Sequence, residues 1–162
     1  MNSSTFCRAR RRRRRASGFT LVEIMVVVVI IGFLASMALP AFAKVRRNAR
    51  NGAFVNDLRQ VRMAAENCIM ELGTYPADGL PGSFPAELQA YLPSGVAERQ
   101  SPIGGRWDWD FEQFGFKAGI SIYQPLADVG QMGDIDRLVD DGDLSSGNFR
   151  SRSNGYIYII EF

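Results

Sequence analysis

The sequence predicts an α+β fold in which a long N-terminal helix precedes a small antiparallel sheet, the two kinds of element segregated along the chain. Three patterns in the 162 residues carry that prediction. Residues 24–43 are a run of 20 without a charged side chain. From Phe54 to Leu72 apolar residues return at steps of three and four. Beyond Arg106 they instead alternate with polar residues, the period of a half-buried strand.

The uncharged run comes first. About 20 apolar residues in a helix cross the hydrocarbon core of a bilayer. Seven of the chain's 19 basic residues, Arg8 and Arg10 to Arg15, lie ahead of it, and residues 1–18 hold no acid. Setting those seven aside leaves 12 cations against 17 acids, a net of −5 for 19–162, so the basic character belongs to the leader. Arginines before an apolar segment favour holding that end in the cytoplasm, and seven outweigh Lys44, Arg46, Arg47 and Arg50 after it. Three ordinary readings fit as far as this: a nucleic-acid patch, a plain membrane anchor, and a secretory signal cut after Ala41-Phe42-Ala43. Glu23 separates them from a fourth. A carboxylate beside the hydrocarbon region is costly and calls for a partner. Neither an anchor nor an ordinary export signal needs one, whereas a subunit packing against copies of itself does.

Gly18-Phe19-Thr20-Leu21-Val22-Glu23 resembles the class III signal of type IV prepilins and type II secretion pseudopilins. The resemblance implies cleavage by prepilin peptidase after Gly18, N-methylation of Phe19 and an assembly role for Glu23. Glu23 becomes the fifth residue of the mature chain and Pro40 the twenty-second, where that family carries a glutamate and many members a proline. It further implies a structural filament subunit and no enzyme, held in the inner membrane by one span, N-terminus cytoplasmic and C-terminal domain periplasmic. The implied partners are homologous subunits, the peptidase, membrane lipid and an inner-membrane assembly platform. The expected organisation is a leader at 1–18, a membrane and assembly half-helix at 19–43, and a pilin-like domain at 44–162. Within that domain the helix continues to about 72, loops fill 73–105 and the sheet occupies 106–162. Elementary electrostatics agree with this reading. Cleavage removes the leader arginines and leaves an ammonium on Phe19 in apolar surroundings, where Glu23 of an adjoining subunit is an available anion. Such a buried pair is better suited to fixing register than to adding stability.

Phe54, Leu58, Val61, Ala65, Cys68 and Leu72 share one helical face, with Arg59, Arg62 and Glu66 between them. Gly73, followed by Pro76, is the expected stop. Pro40 is expected to kink the helix or cost it one hydrogen bond, and Gly52 is a second soft point. Cys68 reads as a small buried hydrophobe. Cys7 lies in the leader, so no internal disulfide is available after processing, and the chain has no histidine to act as base or metal ligand.

Prolines at 76, 81, 85, 93 and 102 mark a loop region, with a short helix expected from Pro85 to Leu92. Strands are expected around Trp107 to Phe111, Ile120 to Tyr123 and Tyr156 to Ile160. Trp107 and Trp109 should cover the helix, with Asp108 and Asp110 on the other face. Gly73-Thr74-Tyr75-Pro76 and the stretch from Ser101 to Trp107 are similar to loop pieces of pseudopilin sequences. The cysteine pair that closes a C-terminal loop in many adhesive pilins is missing, which favours a pseudopilin or a minor subunit.

Asp108 and Asp110 imitate a catalytic carboxylate pair, but no nucleophile or base accompanies them, and no catalytic residue is assigned. Residues 74–162 hold six cations against thirteen acids, so no nucleic-acid partner is expected. A minor pilin that binds, for instance, DNA during uptake remains the alternative, as does a secreted protein cut after Ala43. In the acid-rich stretch 133–143, Asp140, Asp141 and Asp143 are candidate calcium ligands, and by resemblance some major pseudopilins hold calcium in a C-terminal loop. The simpler reading is a short helix with Ile135, Leu138 and Val139 on one face, Asp134 and Asp136 at its start and Gly142 at its end. No metal or other cofactor is expected on that reading.

Overall fold

The computed structural model describes residues 18–162; Cys7 and the arginines of the leader fall outside them. The chain divides into two compact units between Ala41 and Phe42. Helix α1, Leu21–Leu72, contributes to both. It continues through Pro40 and Gly52, so neither residue ends it.

In the first unit every described residue is exposed, including the apolar run as far as Ala41. A helix apolar all round has no face that prefers water, and an exposed apolar surface of this extent marks a membrane or protein contact. The helix is long and apolar enough to cross a membrane.

The second unit builds its core on one face of α1. Phe54, Leu58, Val61, Ala65 and Cys68 are buried as their spacing predicts, while Leu72 at the end of the series is half-exposed. The helix closes at Gly73, which adopts φ +74° and donates its N–H to the Ile69 carbonyl at 2.8 Å. A single turn, α2 (Ala86–Gln89), follows Pro85 and is shorter than expected.

Four strands form the sheet: β1 (Arg106–Phe111), β2 (Ala118–Tyr123), β3 (Phe149–Arg152) and β4 (Gly155–Glu161). All neighbours are antiparallel, in the order β1-β2-β4-β3. Three of these strands follow from alternation, but β3 does not. Its stretch Phe149-Arg150-Ser151-Arg152 has one apolar residue, and Phe149 alone reaches the core. The sheet's inner face packs on α1: the Trp107 ring stacks on Phe54 at 5.0 Å and 8°. Trp109 is fully buried and donates its indole N–H to the Pro76 carbonyl at 3.0 Å. A buried indole N–H usually finds such an acceptor, although that of Trp107 has none among the described residues.

Helix α3 (Val129–Val139) lies between β2 and β3 in the chain. It starts at Val129, five residues before Asp134. Asp128 is the N-cap and accepts the Gln131 N–H at 2.7 Å. Asp134 and Asp136 are therefore mid-helix, and the buried face is Met132, Ile135 and Asp136, with Leu138 exposed.

Candidate functional site

The N-terminal motif forms a helix start. Thr20 donates its N–H and its hydroxyl to Oε2 of Glu23 at 2.8 and 2.9 Å, and Glu23 returns its own N–H to the Thr20 hydroxyl at 3.2 Å. This is a capping box, in which Thr and Glu three positions apart satisfy each other's orphan backbone donors. The sequence reading passed over Thr20, although Thr-Leu-Val-Glu ahead of an apolar run is that motif. Both bonds fall on Oε2. Oε1 has no partner among the described residues, so capping the helix and facing another charge are compatible. Gly18 and Phe19 precede the helix and are exposed.

The acid-rich stretch gathers differently from its sequence order. Carboxylate oxygens of Asp136, Asp140 and Asp141 lie within 4.8 Å of one another. The sequence pattern places Asp136 at a helix start. Instead it is fully buried, and neither of its oxygens has a hydrogen-bond partner. Burial, then the neighbouring carboxylates of Asp141, Asp140 and Asp143, push its pKa up to about 6. Asp140 caps the backbone N–H groups of Asn148 and Phe149. Asp141 accepts the Asp143 N–H and the Ser146 hydroxyl, both at 2.8 Å. Asp143 turns its carboxylate to the N–H and hydroxyl of Ser145, at 3.0 and 2.6 Å, and is not one of the three that converge. Gly147, at φ +68°, lies so close to Asp140 that any Cβ would collide with its carboxylate. Three converging hard oxygen donors, one buried and unsatisfied, fit a calcium ion.

Asp108 and Asp110 are occupied by an arginine the sequence reading missed. Arg152 crosses the outer face of the sheet and donates to Asp108 Oδ2 at 2.9 Å and Asp110 Oδ1 at 3.0 Å, with all three side chains 7% exposed. The Phe114 ring covers the guanidinium at 4.8 Å, and Ser121 donates to Asp110. Asp108 also accepts the Gly82 N–H at 3.0 Å, tying the proline-rich loop to the sheet. The pair is a structural anchor.

Residues 13–39 match the prokaryotic N-terminal methylation motif. The chain is 37% identical over 54 residues to the type IV major fimbrial protein FimA of Dichelobacter nodosus, a match covering 33% of this chain and 35% of that protein. It thus spans about a third of the fimbrial relative's length. With the type II secretion system core protein G of Klebsiella michiganensis it shares 35% identity over 115 residues, 65% of this chain and 80% of that protein. The fold is that of the major type IV pilin PilA1 from Clostridium difficile, at a TM-score of 0.53 and 16% identity over 72% of this chain and 96% of that one.

Proposed function

The chain belongs to the type IV pilin and type II secretion pseudopilin family, and from that premise we propose that it is a filament subunit matured by cleavage between Gly18 and Phe19. The observation that carries this is the coupling of the processing motif to an apolar helix exposed throughout its first 20 residues and more. Such a surface needs lipid before assembly and other subunits after it. Glu23 keeps Oε1 free for the methylated ammonium of an incoming Phe19. The match to protein G extends well beyond the N-terminal motif, and it favours a secretion-type filament over an adhesive pilus. The subunit is held in the inner membrane by one span, with residues 44–162 on the periplasmic side. Mass spectrometry of the membrane-derived protein tests the cut: the expected N-terminus is N-methylated Phe19. A chain beginning at Lys44 would overturn the proposal in favour of a secreted protein.

A second reading concerns the acidic cluster and rests on the buried, unpartnered Asp136. Asp136, Asp140 and Asp141 would hold calcium, which supplies the positive charge that the site lacks.

A further inference from the structure

Twelve cations lie within residues 18–162. Six are ion-paired: Arg47, Arg62, Arg99, Lys117, Arg137 and Arg152. Arg106 and Arg150 rest on aromatic rings. Lys44, Arg46, Arg50 and Arg59 have no ion-pair, hydrogen-bond or aromatic partner among the described residues. Three of these four fall within seven residues, directly after the uncharged run, and all three are exposed. No acid occurs between Glu23 and Asp57. Arg47, in the same stretch, is neutralised by Asp128 at 3.1 Å and Asp134 at 3.3 Å, so these two acids are already engaged.

At 100° per residue, Arg46 and Arg50 share one side of the helix and Lys44 lies on another, all within about 9 Å of its length. Like charges crowded into two turns repel one another unless anions lie between them. Cations on the far side of a membrane span also oppose the usual bias toward the cytoplasmic side, which makes an external partner the more necessary. The 20 residues of the run rise about 30 Å, the thickness of the hydrocarbon core, so the next turn stands at the level of the lipid phosphates.

We propose that Lys44, Arg46 and Arg50 form a collar that binds the phosphates of anionic phospholipid headgroups where α1 leaves the bilayer. The inference rests on the membrane insertion proposed above and adds the lipid class to it. Long aliphatic stems let these side chains lie along the apolar helix while their heads reach the phosphates. The collar holds the subunit in the membrane until assembly, and these contacts must be given up when the subunit enters a filament.

The test uses the chain recovered from membranes with Phe19 as its first residue, so that no leader arginine contributes. Native mass spectrometry in neutral detergent counts bound phosphatidylglycerol against phosphatidylcholine. Wild type is expected to prefer phosphatidylglycerol. The triple variant Lys44→Gln/Arg46→Gln/Arg50→Gln should lose that preference on the order of a hundredfold, about fivefold per side chain. Arg59→Gln should leave it unchanged, and exchange of Lys for Arg or Arg for Lys at the three positions should preserve it. Equal uptake of the two lipids by wild type, or an undiminished preference in the triple variant, overturns the collar. Displacement of phosphatidylglycerol by inorganic phosphate alone would make the ligand a free anion and overturn the lipid assignment. A triple variant with unaltered lipid selectivity that no longer builds filaments assigns these cations to a second copy of the chain instead. Failure to bind either lipid overturns membrane insertion itself, a separate result.

Discussion

Helix α1 is apolar in both its halves, yet the two halves find their partners in different places. Residues 24–43 are apolar on every side and none is buried, whereas nine residues between Asn51 and Cys68 are buried on one face. An amphipathic helix can satisfy its apolar stripe within its own chain, here against Trp107 and its neighbours. A uniformly apolar helix cannot, because whichever side it covers, the others remain. The second half is therefore a folding element and the first an association element. Substitutions in one should leave the other's property intact.

Replacing Glu23 with Ala gives the largest expected effect. Filament formation should be lost, since an ammonium left unpaired in apolar surroundings costs about 3–5 kcal/mol per contact. Membrane insertion should be unchanged or improved, as carbonate extraction of membranes would show. Normal filament yield would break the contrast between the halves. Trp109→Ala should do the opposite. It should destabilise the domain by about 3–5 kcal/mol in denaturant unfolding of a fragment from Lys44, with insertion of the full chain unaltered.

Asp136 sharpens the comparison from within the folded half. Its carboxyl titrates at about 6 in the folded domain against an ordinary 3.8. The folded state thus binds this proton more tightly than the unfolded state does, and the resulting stabilisation is complete below pH 4. It fades as pH rises from about 4 to about 6 and is absent at neutral pH. Relative to pH 4, wild type should lose about 2–3 kcal/mol by pH 7 through this group, and Asp136→Asn should remove that part of the pH dependence. Millimolar calcium at pH 7 should raise the melting temperature of wild type and not of Asp136→Asn. An Arg47→Ala substitution should cost least, under about 1 kcal/mol and less in high salt, because its pairs with Asp128 and Asp134 are partly exposed.

How legible each part was depends on the range of the interaction. The helix, its buried face and three strands are periodic signals that need only neighbouring residues. The processing motif is local as well, and Thr20 with Glu23 was readable as a capping box. β3 was hidden because a strand at the sheet edge with Arg150 and Arg152 on its outer side needs little apolar alternation. Arg152 could not be assigned to Asp108 and Asp110 from sequence, since 44 and 42 residues separate them and only the β1-β2-β4-β3 order brings them together. Choosing Asp136 over Asp143 depended on burial. Asp136 and Asp140 do stand one helical turn apart, a spacing the sequence contains, but which face α3 turns inward follows from its earlier start at Val129.

The reach of Arg152 across the sheet also bears on the order in which the domain forms and fails. Its carboxylate partners are on β1, at one edge, while Arg152 itself is on β3, at the other. The guanidinium can engage both only when all four strands are in place, so these contacts close the longest loops of the sheet and form late. Interactions missing from the folding transition state act on the unfolding rate. The Arg152 bridge is thus a brake on opening: it lengthens the lifetime of the native domain while leaving the speed of its formation almost untouched.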